Sequence, residues 1–382
     1  MAARVLVLGA GFGGLELTST LAEELGGEVQ ITLVDRTAGF VFGFSKLDVM
    51  FGRADAGHVV HPYADLAKPG VTFVRAEITA IDATTRRVET TAGAFQADYL
   101  VVALGADYDV LRTRGLAEAG HEFYSERGAF ALRETLAEFE GGDVVVGVTA
   151  GPFKCPPAPS ETALMLDAML RERGIRDSST ISLVMPVARP LPPSEDASAA
   201  LLEAFAERGI AWHPDTGVRS LDVEERVARL GDGSALPFDL YLGVPVHRVP
   251  VVVEAAGLTV DGWIPVDPRT LETPWPDVFA VGDCAAVGTP RAGAFAERQG
   301  AAAARIIAAR VRGERTDAAY DGRGVCYIEF GGDEIGRVEV SFFDGHPAGA
   351  FEGPSLALAA DKQEFGASRI RRWFGREWTP VG

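Results

Sequence analysis

Two short apolar runs, Val5-Leu6-Val7-Leu8 and Ile31-Thr32-Leu33-Val34, flank a glycine-rich turn and a stretch with helical apolar spacing that reaches about Leu25. The runs predict buried strands and the spacing between them predicts a helix, so the chain opens as strand, turn, helix, strand. Residues 77–82 and 87–91 alternate like a hairpin and lead into the buried-type strand Tyr99-Leu100-Val101-Val102-Ala103-Leu104, closed by Gly105. From about 109 the pattern restarts: a helix near 129–139, a strand Asp143-Val144-Val145-Val146, a helix from Ser160 to about Arg173, a strand 181–185 and a helix 196–208. A further strand, Val278-Phe279-Ala280-Val281, precedes an alanine-rich helix over 293–312. Two strands, 325–329 and 337–341, then give way to a tail with scattered aromatics. Helix–strand alternation with parallel-type apolar strands predicts an α/β fold: two doubly wound Rossmann-like domains with a small C-terminal α+β module.

Composition narrows the function classes. The 382 residues are 47% hydrophobic and 24% charged, an ordinary globular mix long enough for two or three domains. Lys and Arg number 36 against 54 Asp and Glu, a formal charge of −18 that argues against nucleic acid as a partner. The three cysteines, Cys155, Cys284 and Cys326, form neither a disulfide framework nor a metal-ligand spacing, so no metal site is expected. Met1 runs almost directly into a strand and no apolar stretch reaches the ~18 residues needed to span a bilayer, so a cytoplasmic protein is expected.

Gly9-Ala10-Gly11-Phe12-Gly13-Gly14 fits G-x-G-x-x-G through Gly9, Gly11 and Gly14, and it lies between the first strand and the first helix. In that position Gly9 permits the tight turn, Gly11 admits a pyrophosphate to the backbone, and Gly14 lets helix and strand pack closely. The helix N-terminus, from Phe12, faces the negative charge. Asp35 closes the second strand, 21 residues past Gly14, placed to accept a hydrogen bond from a ribose hydroxyl. A dinucleotide is expected there.

The fingerprint does not separate NAD from FAD. Thr273-Pro274-Trp275-Pro276-Asp277-Val278-Phe279-Ala280-Val281-Gly282-Asp283 resembles the second FAD motif of the two-dinucleotide flavoproteins, an element that brings an acid to the ribityl chain. By that resemblance Gly282 and Asp283 contact FAD. Val102-Ala103-Leu104-Gly105-Ala106 resembles the element at which the chain leaves the flavin domain, which adds Ala103 and Gly105 to the expected contacts. The expected units are therefore 1–108, the first part of an FAD domain; 109–235, a second Rossmann-like domain; 236–318, the second part of the FAD domain; and 319–382, a C-terminal module.

Members of that superfamily that draw hydride from NAD(P)H usually repeat the glycine fingerprint after the second domain's first strand. Here the strand is followed by Gly147-Val148-Thr149-Ala150-Gly151-Pro152-Phe153-Lys154-Cys155-Pro156-Pro157-Ala158-Pro159. Its glycines are misplaced and its four prolines offer no N–H groups, so a nicotinamide donor is disfavoured. A cysteine beside a lysine and before a helix is an electropositive setting of the kind that lowers a thiol pKa from ~8.5 toward ~3.5–7.5, and Cys155 is expected to be a redox thiol. A small core cysteine is the alternative.

This proline-rich stretch, together with Gly324-Val325-Cys326-Tyr327-Ile328-Glu329 and the lead-in 262–271, resembles the sulfide:quinone oxidoreductase and flavocytochrome c sulfide dehydrogenase flavoproteins over nearly the whole chain. The resemblance implies that Cys155 and Cys326 face each other across the flavin as a disulfide-forming pair, one holding sulfane sulfur and the other addressing the isoalloxazine. It also implies a place near the flavin or quinone for Lys362, whose alternative is a surface lysine, and a backbone contact to the flavin at Gly293. Glu161 is either a proton holder for Cys155 or a dipole-stabilising acid of the first helical turn. The stretch Phe123-Tyr124-Ser125-Glu126 lacks a further cysteine found in many quinone-reducing members, and 42–46 lacks the thiol that tethers flavin in some. Cys284 is read as a structural neighbour of the FAD site.

The implied function is oxidation of sulfide or a small thiol or persulfide, with electrons passed through FAD to a quinone or soluble acceptor. The alternatives are a type II NADH dehydrogenase-like quinone reductase and a non-catalytic flavin-binding redox sensor. The tail Arg369-Ile370-Arg371-Arg372-Trp373-Phe374-Gly375-Arg376-Glu377-Trp378 either docks on the flavin domain, the preferred reading, or makes peripheral contact with a membrane.

Overall fold

A computed structural model describes residues 2–66 and 68–381; Met1, Ala67 and Gly382, which fall within the expected domains, lie outside the described residues. Two five-stranded parallel sheets organise the chain. The first has the order Val278–Ala280, Tyr99–Val102, Ala3–Leu8, Val29–Asp35, Val71–Arg75. Its strands are apolar at successive positions, as burial on both faces requires: Val5, Leu6, Val7 and Leu8 are all buried. The helices Phe12–Leu25 and Gly293–Arg312 pack against each other so closely that a Cβ on Gly300 would lie 2.3 Å from the carbonyl oxygen of Gly13.

The second sheet has the order His121–Glu122, Leu240–Val244, Gly142–Val148, Ser179–Val184, Ile210–His213. Leu240–Val244 lies beside Gly142–Val148 at its centre, so the second unit extends past the expected boundary at 235. The hydrophobic pattern misled there because the intervening segment folds as a three-stranded antiparallel excursion, Val218–Asp222, Val227–Leu230 and Ala235–Pro237, before the chain returns to the sheet. Two crossings join the units, and they pair antiparallel as Asp107–Asp109 with Val246–Arg248.

The C-terminal module has three antiparallel strands, Arg323–Glu329, Ile335–Ser341 and Ala348–Ser355, followed by the helix Leu358–Phe374. The third strand and the helix were not expected. The helix ends at Gly375, which takes the left-handed conformation (φ 66°) that favours glycine. Ile370, Trp373 and Phe374 are buried, the Trp373 indole N–H donates to Glu16 at 2.8 Å, and the Trp378 indole N–H donates to the His58 carbonyl at 3.0 Å. The tail is docked on the first unit, and Trp373 and Phe374 are inaccessible to a membrane. No described helix is long and apolar enough to cross a membrane.

Candidate functional site

The glycine turn follows Ala3–Leu8 directly. Gly9 has φ 98°, and a Cβ there would lie 2.4 Å from the Ala103 carbonyl oxygen; a Cβ on Gly14 would lie 2.0 Å from the Gly9 carbonyl oxygen. Neither position admits a side chain. A Cβ on Gly11 would meet nothing within 4 Å, so that residue faces open space where a ligand can approach the backbone. Asp35 pins this turn: one carboxylate oxygen accepts from the Ala10 N–H at 2.8 Å and the other from the N–H and hydroxyl of Thr37 at 2.8 and 2.7 Å. A carboxylate has about four acceptor sites, which leaves capacity for a further donor such as a ribose hydroxyl. Tyr63, which sequence reasoning missed, donates its hydroxyl to the Ala10 carbonyl at 2.8 Å; a lone tyrosine carries no signal of that role.

The other expected contacts converge on the same end of the sheet. Ala103 donates its N–H to Leu8 at 2.7 Å, and Gly105 (φ 65°) turns the chain away. Gly282 (φ 78°) donates its N–H to the Gln299 side chain at 2.7 Å. Burial raises the pKa of the neighbouring Asp283, against the opposing charges of Lys154, Arg291 and Lys46. Gly293 begins the long helix, where a Cβ would lie 2.8 Å from the Phe12 ring. Thus two helix N-termini, neither with an acid in its first turn, meet at the glycine loop, a setting suited to a pyrophosphate. Cys284 is buried, with its sulfur against the carbonyls of Val281 and Val102 at 3.4 and 3.5 Å.

In the second unit, Gly147 serves packing: a Cβ there would lie 2.5 Å from the Tyr241 hydroxyl oxygen. Cys155 follows on an exposed loop with φ 48°, and its N–H donates to the Arg291 carbonyl at 2.7 Å. Tyr124, in the stretch without a cysteine, points its hydroxyl at the Cys155 carbonyl at 3.4 Å. Cys326 lies half-buried in Arg323–Glu329, and both cysteines are free thiols.

The expected lowering of the Cys155 pKa is overturned. The mass of protein around the cleft, then Glu161 and the Cys326 sulfur, push the thiol well above its ordinary range, and Lys46 opposes this only in part. Solvent reaches the exposed face of Cys155 and screens part of the burial contribution. Burial and Glu161 likewise push Cys326 up to about 12. The lysine beside Cys155 is shared with other groups: Lys154 lies over the Tyr108 ring at 4.7 Å, and against its burial Tyr108 and Asp283 raise its pKa ahead of Cys155. Lys46 is a cation that opposes the rise at Cys155, and burial together with Lys154 lowers its pKa to about 7.

Glu161 acts on both thiols. It is buried in the first turn of Ala158–Glu172, accepts the Glu329 N–H at 3.1 Å, and is raised to about 7 by burial and the charge of Glu329. Lys362 is no surface lysine: its side chain is 1% exposed, ion-paired to Glu329, with the ammonium 4.8 Å from the Phe44 ring centroid. Arg53 also pairs with Glu329, at 2.7 Å, and with buried Asp48. Sequence reasoning missed Arg53, Asp48 and Glu329.

A family model described as pyridine nucleotide-disulphide oxidoreductase matches residues 3–304. The mitochondrial sulfide:quinone oxidoreductase of Mus musculus is 24% identical over 356 residues, covering 89% of this chain and 78% of that one. A type II NADH:quinone oxidoreductase of Staphylococcus saprophyticus is 23% identical over 375 residues, covering 85% and 90%. The structure of the sulfide:quinone oxidoreductase from Aquifex aeolicus superposes with a TM-score of 0.86 at 22% identity, covering 97% of this chain and 92% of that chain. With the match running through both parallel sheets, the chain belongs to the pyridine nucleotide-disulphide oxidoreductase family, and it is an FAD-binding flavoprotein with an oxidoreductase fold.

Proposed function

We propose that this flavoprotein oxidises sulfide, or a small thiol or persulfide, through Cys155 and Cys326 and delivers the electrons to a quinone or another acceptor. One observation carries the reading: two cysteines from different units share the buried acid Glu161, at the place where the second sheet lacks a nicotinamide fingerprint. The relatives named for sulfide:quinone oxidoreduction support it.

Gly9, Gly11, Gly14 and the N-termini at Phe12 and Gly293 hold the FAD pyrophosphate, Asp35 the ribose, and Asp283 with Gly282 the ribityl chain; Ala103 and Gly105 shape the exit from the flavin domain. FAD, when bound, supplies a two-electron acceptor. With the cysteines joined as a disulfide, hydrosulfide attacks one sulfur and the S–S bond breaks. One cysteine then carries a persulfide and the other leaves as a thiolate bearing the electron pair. Glu161, raised to about 7, is present in both forms at neutral pH, and its ionised form takes up the proton of the new persulfide. Lys362 stabilises negative charge developing on the aromatic side of the site, where Phe44 lies.

The similarity to type II NADH:quinone oxidoreductases supports a second reading, with NADH as donor. Anaerobic titration separates the two. Bleaching of the flavin by stoichiometric sulfide, with NADH inert, is the expected result; bleaching by NADH alone overturns the sulfide reading. Sustained acceptor reduction in the steady state separates an enzyme from a flavin-binding sensor.

A further inference from the structure

Five ionisable side chains form one cluster behind the two thiols. Three are acids, Asp48, Glu161 and Glu329, each at most 4% exposed. Two are bases: Lys362, equally buried, and Arg53, whose side chain is 24% exposed and forms the cluster's contact with solvent. They are contributed by four parts of the fold. Asp48 is on the helix Ser45–Met50 and Arg53 follows it, Glu161 is on Ala158–Glu172, Glu329 ends Arg323–Glu329, and Lys362 is on Leu358–Phe374.

The charges do not cancel. Two cations, buried Lys362 and partly exposed Arg53, neutralise two carboxylates, and a third ionised carboxylate would stand unpaired in a poorly solvated interior, at a cost of several kcal/mol. One acid must therefore keep a proton. Glu329 is excluded, because Lys362 and Arg53 both pair with it directly. Burial raises the pKa of Asp48 as well, but Arg53 is its direct salt-bridge partner and opposes that rise together with Lys362, while its second oxygen has no hydrogen-bond partner among the described residues. Glu161 has no direct ion pair and receives one backbone N–H, from Glu329 itself.

We propose that Arg53 is a positioning residue for the thiol chemistry: by gripping Asp48 and Glu329 together, it keeps both ionised and leaves the odd proton of the cluster on Glu161, beside Cys155 and Cys326. The assignment rests on the reading of those thiols as a reactive pair. It also accounts for an arginine reaching from a surface position into a pocket that already holds a lysine. The groups that face Glu161 are Glu329, Lys362, Arg53 and the two cysteines, and the value of about 7 at Glu161 agrees with the charge count.

The test uses the FAD-loaded protein and the infrared carboxyl band that disappears in Glu161→Gln, titrated with pH. Arg53→Met removes a cation and is expected to move the midpoint upward by ~1 unit or more, with Arg53→Lys returning it toward the parent. Glu329→Gln removes the competing anion, keeps the backbone N–H and is expected to move the midpoint downward by a similar amount. A merely structural role predicts no such opposition. A midpoint unchanged in flavin-loaded Arg53→Met, or moved in the same direction by both changes, overturns the assignment. Where Arg53→Met does not retain flavin, Glu329→Gln decides alone, and an unmoved midpoint there is fatal. A protein inert toward sulfide whose band still moves in opposite directions upholds the assignment and counts against the sulfide reading only.

Discussion

The N–H of Cys155 donates to the carbonyl of Arg291 at 2.7 Å, and the guanidinium of that arginine lies 3.6 Å from the Trp263 ring centroid while its Nε–H donates to the Asp283 carbonyl at 3.0 Å. One residue thus fastens the cysteine loop of the second unit to the segment that carries Asp283 in the first. Cys155 is held against the Asp283 segment through its backbone, which leaves its side chain free for chemistry.

Because those contacts are made by the main chain, Cys155→Ser is expected to fold and to hold FAD. Anaerobic reduction of the flavin by sulfide should fall on the order of 10²-fold or more, and by a similar factor in Cys326→Ser, since members of a unit fail together. Stopped-flow absorbance checks this. Near-parent reduction in either variant would remove the pair from the mechanism.

Much of the fold was legible because its signals are local. The parallel strands read as continuous apolar runs, and Gly9 and Gly14 sit where only a residue without a side chain fits. The third strand of the module was obscured by Gly349, Gly353 and Pro354 within Ala348–Ser355, which break strand propensity while pairing with Ile335–Ser341 supplies the hydrogen bonds. The electrostatics were illegible for a different reason. Lys154 adjoins Cys155 in the chain but answers first to Tyr108 and Asp283, and Glu161 accepts from the N–H of Glu329, 168 residues away. Sequence adjacency says nothing of where a long side chain points.

The raised pKa of Glu161 makes stability depend on pH with a definite sign. Its value is 4.5 when unfolded and about 7 in the folded chain. Below 4.5 the acid is protonated in both states and contributes nothing. Between 4.5 and 7 the unfolded chain releases the proton first, so folding stability falls as pH rises, by at most ~1.4 kcal/mol per unit, and then levels off. Glu161→Gln should remove that slope and be the more stable protein at pH ~8. Urea unfolding at several pH values tests this: an unchanged slope in the variant refutes it. Glu329, lowered chiefly by Lys362 and Arg53 against its burial, has its stabilisation lost only below its ordinary value, outside this window.

The glycine turn separates packing from ligand binding. Gly14→Ala places a methyl 2.0 Å from the Gly9 carbonyl oxygen and should cost about 1–3 kcal/mol or more of stability through forced backbone movement. Gly11→Ala meets no protein atom, so its thermal midpoint without flavin should match the parent, while FAD affinity drops because the methyl occupies the open approach. Equal flavin affinity in Gly11→Ala and the parent would place the pyrophosphate elsewhere.

The docked tail makes the last distinction, between a membrane anchor and a structural strut. Arg372 donates twice to Glu16 at 2.8 Å, from Nε and from Nη2, and Trp373 donates to the same carboxylate, so three donors from one helix converge on a single buried acid of the first helix. Removing Trp373 empties a fully buried site and leaves Glu16 short of a donor. Trp373→Ala should therefore cost about 3–5 kcal/mol. Arg371→Ala, which breaks only surface pairs with Glu364 and Glu377, should cost under about 1 kcal/mol. A membrane anchor predicts the reverse pattern, with stability in buffer unaffected by Trp373→Ala and retention on anionic vesicles abolished by it. Thermal unfolding and vesicle sedimentation of the same two variants decide between them.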